Sequence, residues 1–117
     1  MTFDNDFWDA LDYLKSTSYI VIEREKGGAH PKFPNFIYPV DYGYLANTSS
    51  MDGEEIDVYV GQKSNADGRI DAVLCTIDLL KRDIEIKILI ECSEEELFAI
   101  YNFHNSTENM KCLLIRR

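Results

Sequence analysis

The sequence predicts a mainly β protein: a small, largely antiparallel, OB-like barrel with one helix near each end. Three observations carry this expectation. β-branched and aromatic residues concentrate in short runs at 19–24, 56–61, 69–79, 84–92 and 111–115. Helical spacing of apolar residues is confined to 4–16 and 93–104. No repeat, low-complexity tract or linker interrupts the 117 residues, so 1–117 is expected to form a single domain.

The first helix places Phe7, Leu11 and Leu14 at helical spacing with Trp8 beside them, and Asp4 is placed to cap it. Tyr19-Ile20-Val21-Ile22-Glu23-Arg24 follows as a strand, then a loop marked by Gly27-Gly28, Pro31 and Pro34. A short extended piece covers 36–44, and 56–61 alternates as a strand. Asn65-Ala66-Asp67-Gly68 predicts a turn. Residues 69–79 and 84–92 predict a long hairpin across Leu80-Lys81-Arg82-Asp83. In its second strand Ile84, Ile86, Ile88 and Ile90 share one face, expected to be core, with Glu85 and Lys87 on the other. Ser93-Glu94-Glu95-Glu96 is a capping box, opening a helix with Leu97, Ile100 and Tyr101 on one side. A closing strand spans 111–115.

Twelve Lys and Arg stand against 21 Asp and Glu, a net charge of -9. That balance disfavours nucleic acid and anionic membranes as partners. No stretch reaches the ~20 apolar residues of a membrane span, and Met1-Thr2-Phe3-Asp4-Asn5-Asp6 lacks the basic start of a signal peptide. Three separated cysteines, of which Cys75 and Cys112 lie in apolar runs, suit buried thiols in a reducing, cytoplasmic setting.

The densest chemistry is Asp52-Gly53-Glu54-Glu55-Ile56-Asp57, just after Tyr38-Pro39-Val40-Asp41-Tyr42-Gly43-Tyr44. Carboxylates this close repel unless a cation sits among them, and Asp52, Glu54 and Asp57 could hold a hard, oxygen-preferring ion such as magnesium. An Asp/Gly turn with solvated acids gives the same spacing. The hairpin tip adds Asp78 and Asp83 as further acids, with Lys81 and Arg82 between them to hold phosphate; an ordinary charged turn has the same composition. Lys32 is either a phosphate contact or solvated, and Glu23 faces either solvent or a polar barrel mouth. His30 and His104 lack metal-ligand spacing, and there is no GxxxxGK[ST], GxGxxG or GxSxG motif.

In combination, a strand ending Val21-Ile22-Glu23, a loop lysine, YPVDYGYL, DGEEIDV and an Asp-x4-Asp hairpin resemble the family I soluble inorganic pyrophosphatases, over roughly residues 19–105. The resemblance implies a compact five-stranded barrel with flanking helices. It implies hydrolysis of pyrophosphate to two phosphates with magnesium, or manganese in its place, and homo-oligomeric assembly. By position, Asp52, Asp57, Asp78, Asp83 and Glu23 resemble metal ligands. Glu54 resembles the base that takes a proton from the attacking water, with Tyr42 beside it in the catalytic set. Lys32 and Tyr38 resemble substrate contacts, joined by Lys81 and Arg82. Tyr59 is open to either an interface or the core.

The chain departs from that family at several positions. Glu54 replaces an aspartate, and a shift of the base by one methylene is of the order that costs roughly a hundredfold in rate. Only residues 33–37 stand where the family has a hairpin bearing a phosphate-binding arginine. Glu85 aligns with a phosphate lysine, and His104-Asn105 with a Tyr-Lys pair. Lys26, Lys81, Arg82 and Lys87 are the cations available as substitutes. Two alternatives follow: a metal-dependent phosphohydrolase with another phosphate substrate, and a non-catalytic barrel that binds metal, phosphate or a protein.

Overall fold

A computed structural model describes residues 3–63 and 68–117; all but Gly68 of the predicted turn at 65–68 lies outside them. The elements are α1 (Phe3–Ser16), β1 (Tyr19–Arg24), β2 (Asp41–Ala46), β3 (Ile56–Val60), β4 (Ile70–Asp78), β5 (Asp83–Ile90), α2 (Glu94–Asn105) and β6 (Met110–Arg116). They form a six-stranded sheet in the order β1-β2-β3-β5-β4-β6. The mainly β class and the two helices agree with the expectation. Among the described residues the strand count is six rather than five, because the extended piece expected within 36–44 is strand β2, paired with both β1 and β3, and β1 and β6 stand at the two ends of the strand order. Among the described strand pairs only β3 and β5 run parallel. Their ladder covers Val58–Val60 and Ile88–Ile90 alone, so the first half of β5 has no ladder partner in β3, and a groove lined by Ile56, Ile84 and Ile86 splits the sheet there.

Side-chain alternation along the strands divides the core between two faces. On one, Tyr59, Leu74 and Leu89 pack with Leu97 and Ile100 of α2. On the other, Val58, Val73, Ile88 and Ile90 pack with Trp8 of α1. Each fully buried aliphatic side chain contributes about 1.5–3 kcal/mol relative to exposure. Tyr59 is therefore core, closing its interface alternative. Helix α1 is rotated from the expected register: Trp8 is buried and Phe7 exposed. Asp4 lies inside the first turn rather than at the cap, where its charge complements the helix dipole.

The capping box forms as predicted. Ser93 Oγ accepts from Glu96 N (3.2 Å), and Glu96 Oε1 accepts from Ser93 N (2.9 Å). The same carboxylate accepts from Gln62 N through Oε2 (2.9 Å), fastening the end of β3 to the start of α2. At Gly43 the backbones of β1 and β2 leave no room for a side chain: a Cβ there would run into the Val21 carbonyl.

The expected β5 core face holds only in its second half. Ile88 and Ile90 are buried, whereas Ile84 is 60% and Ile86 47% exposed. The hairpin tip reaches past the β3 pairing, so nothing in the sheet covers those two isoleucines. On the opposite face the polarity inverts, and Lys87 is only 5% exposed.

Candidate active site

The buried lysine organises the site. Lys87 Nζ donates to Asp57 Oδ2 (2.7 Å), Glu85 Oε2 (3.2 Å) and Tyr42 OH (3.4 Å), and lies 5.4 Å from the centroid of the Tyr42 ring. Glu85 and Lys87 point the same way because they are two apart on one strand. Asp57 reaches them from β3 and Tyr42 from β2. Burial alone would lower the Lys87 pKa, but Asp57, Tyr59 and Glu85 hold it above the ordinary lysine value. The Tyr42 phenol is raised by burial and then by Asp57, so it keeps its proton.

Asp52 closes the cluster from the 49–55 turn. Its Oδ1 accepts from Ser50 Oγ (2.6 Å) and Glu54 N (2.9 Å), and its carboxyl meets that of Glu85. The Ser50 hydroxyl, then the Glu54 N–H and Glu85, lower Asp52. Burial, partly offset by Lys87, raises Glu85, as does Asp52.

A second cation stands on the tyrosines. Arg24 Nη1 donates to Tyr38 OH (2.6 Å), and its Cζ lies 5.4 Å from the Tyr38 ring centroid and 5.7 Å from that of Tyr42. The Tyr38 and Tyr42 rings stack at 5.2 Å. Behind them, Tyr59 OH is 2.7 Å from His104 Nε2, and His104 Nδ1 is 3.0 Å from Met110 Sδ. Burial raises the Tyr59 phenol and pushes His104 down to about 3, so a neutral phenol meets a neutral imidazole.

The predicted residues divide by location. Tyr38, Tyr42 and Asp57 come together with Arg24, Glu85 and Lys87, and Asp52 joins through Glu85. Asp78, Arg82 and Asp83 lie across the split, where a groove of about 900 Å³ has Asp52 and Glu85 in its wall as well. Asp78 is partly committed to the turn, since its Oδ1 accepts from Leu80 N (2.9 Å) and Lys81 N (3.0 Å). Glu54, Lys32 and Lys81 are exposed. Glu23 is exposed on β1 and, among the described residues, no contact ties it to the cluster. Among the described residues no three acid, imidazole or thiol side chains form a ready metal cage.

Arg24 and Glu85 were not in the predicted set, and Lys87 was expected only as one of several substitute cations. Strand alternation was the available signal for the last two, because it puts them on one face opposite the isoleucines.

The fold is similar to that of solved inorganic pyrophosphatases. One from Neisseria gonorrhoeae aligns with a TM-score of 0.67 and 14% identity, over 88% of this chain and 84% of that one. One from Coxiella burnetii aligns with a TM-score of 0.63 and 17% identity, over 83% and 84%. One from Helicobacter pylori aligns with a TM-score of 0.55 and 17% identity, over 85% and 82%. At such identities the likeness concerns the fold. No protein-family model and no curated protein sequence matches the chain.

Proposed function

We propose that this chain hydrolyses inorganic pyrophosphate to two phosphates in a magnesium-dependent reaction, as a single cytoplasmic domain. The observation that carries the reading is the convergence of Asp57, Glu85 and Lys87 under Tyr42, with Asp52 against Glu85, in a fold shared with solved pyrophosphatases.

Magnesium is usually held by one or two carboxylates plus substrate phosphate and water, so a complete protein cage is not required. The Asp52–Glu85 pair fits that need: two acids in contact, whose repulsion a divalent ion relieves. Asp78 and Asp83 line the same groove as Asp52 and Glu85, and Asp57 would add a carboxylate from beside Lys87. When bound there, the ion supplies charge neutralisation at the phosphate oxygens and an acidified water.

The chain's own groups do the rest. Lys87 fixes Asp57 and Glu85 in place as a positioning residue. The protonated Tyr42 phenol is a donor for a phosphate oxygen. Glu54, exposed beside Asp52, takes the proton of the attacking water. Lys32, Lys81 and Arg82 offset the charge of the departing phosphate. Purified protein with magnesium should release phosphate from pyrophosphate; no release across divalent metals and pH would reject the reading.

The apolar wall of the groove, formed by Ile56, Ile77, Ile84 and Ile86, favours a second reading. In it the substrate is a phosphate ester or anhydride with an organic group. A substrate panel separates the two, since the first requires pyrophosphate to be preferred.

A further inference from the structure

Strand β1 pairs regularly with β2 from Tyr19↔Ala46 to Ile22↔Gly43, and then the register shifts: the next partner of Tyr42 is Arg24, not Glu23. Glu23 is the extra residue of a β-bulge. Bulges re-aim side chains, and cross-strand partners project to the same face. Without the bulge Glu23 would stand opposite Tyr42. With it, a guanidinium occupies that place and the carboxylate is displaced to solvent.

The guanidinium is prepared rather than neutralised. It rests on two tyrosine rings and is oriented by Tyr38 OH. Among the described residues it forms no ion pair. Lys87 stands on the same Tyr42 ring, so two cations are held against one aromatic platform. His30, packed near the Tyr38 ring, is lowered by burial and then by Arg24, Lys32 and Lys81, so these three cations lie within electrostatic reach of it.

We propose that Arg24, brought opposite Tyr42 by the bulge at Glu23, is a phosphate-binding residue of this site, its guanidinium fork taking the oxygens of a phosphate or diphosphate. A planar fork suits paired phosphate oxygens in a way an ammonium does not. The inference rests on the proposed function for the class of anion, not for the occurrence of turnover.

The test is calorimetric titration of the full chain with methylenediphosphonate, a diphosphate analogue that is not hydrolysed, with and without magnesium. Arg24→Met should weaken binding about tenfold to a hundredfold, and Arg24→Lys should recover only part of the loss. Binding by Arg24→Met equal to wild type overturns the proposal, as does failure of wild type to bind the analogue. If Arg24→Met does not fold, the Arg24 Nε–H resonance of the wild type decides: it shifts on addition of the analogue, and an unmoved resonance overturns the proposal. Binding that depends on Arg24 without phosphate release from pyrophosphate would reject the hydrolase reading and leave this one standing. Turnover indifferent to Arg24→Met would do the reverse.

Discussion

Lys87 Nζ stands 2.7 Å from Asp57 Oδ2, a lysine of β5 buried against an aspartate of β3 just where those strands part. The ammonium holds both sides of the split and also neutralises Glu85. Lys87→Met should destabilise the fold by about 2–3 kcal/mol, because two carboxylates lose their partner. The value lies at or below the bottom of the roughly 3–5 kcal/mol range for buried pairs, since the Asp57 and Glu85 side chains are 28% and 20% exposed. Urea denaturation measures it, and an unchanged midpoint at unchanged slope would contradict the role.

Gly43→Ala should cost about 3 kcal/mol or more, at the upper end of overpacking penalties. The added methyl meets backbone, the Val21 carbonyl, rather than a side chain that can turn away. Relief requires β1 to move off β2, which also moves Arg24 off Tyr42. Thermal melting reads the loss, and a melting point equal to wild type would show that the strands are not so close.

Acid sensitivity follows from His104. Unfolded, its imidazole takes up a proton near the ordinary value of ~6.5, whereas burial in the fold pushes it down to about 3. Between those values the unfolded chain binds more protons. Its contribution is complete above about pH 6.5 and declines as pH falls toward 3, by about 1.4 kcal/mol per pH unit at full imbalance. Denaturation curves from pH 7 to 4 should therefore be flatter for His104→Gln than for wild type. Equal slopes would mean that His104 is not held neutral.

Glu54→Gln should lower kcat by at least about a hundredfold while KM changes little, the pattern of a lost general base. Its side chain is exposed, so the fold should be unaffected and melting should match wild type. Steady-state phosphate release measures both constants. A kcat within a few-fold of wild type would move the proton-accepting role to another group.

Local signals were legible where local physics decides. Strand β1 was expected over its observed residues, and the capping box at Ser93 was visible from Ser and Glu three apart. What escaped depends on pairing. The isoleucine stripe of β5 indicated a buried face, yet Ile84 and Ile86 lie beyond the β3 ladder while Lys87 is covered. Glu23 looked like the functional end of β1, but the bulge gives its place to Arg24, and a bulge is set by the partner strand's register. Asp78 and Asp83 matched a motif spacing. Of the hairpin acids, the one that contacts Lys87 is Glu85, which sits one strand repeat deeper than Asp83. Chain spacing does not reveal which acid lies beside the split.

Magnesium-dependent release of phosphate from pyrophosphate, compared between wild type and Asp57→Asn, tests the central claim most directly. Asp57 joins the Lys87 ion pair to the acid wall, so its amide should reduce release by several orders of magnitude while the chain remains folded by circular dichroism. The account predicts turnover by wild type with magnesium and near-complete loss in the variant. Wild type inactive with every divalent metal tried, or a variant as active as wild type, would contradict it.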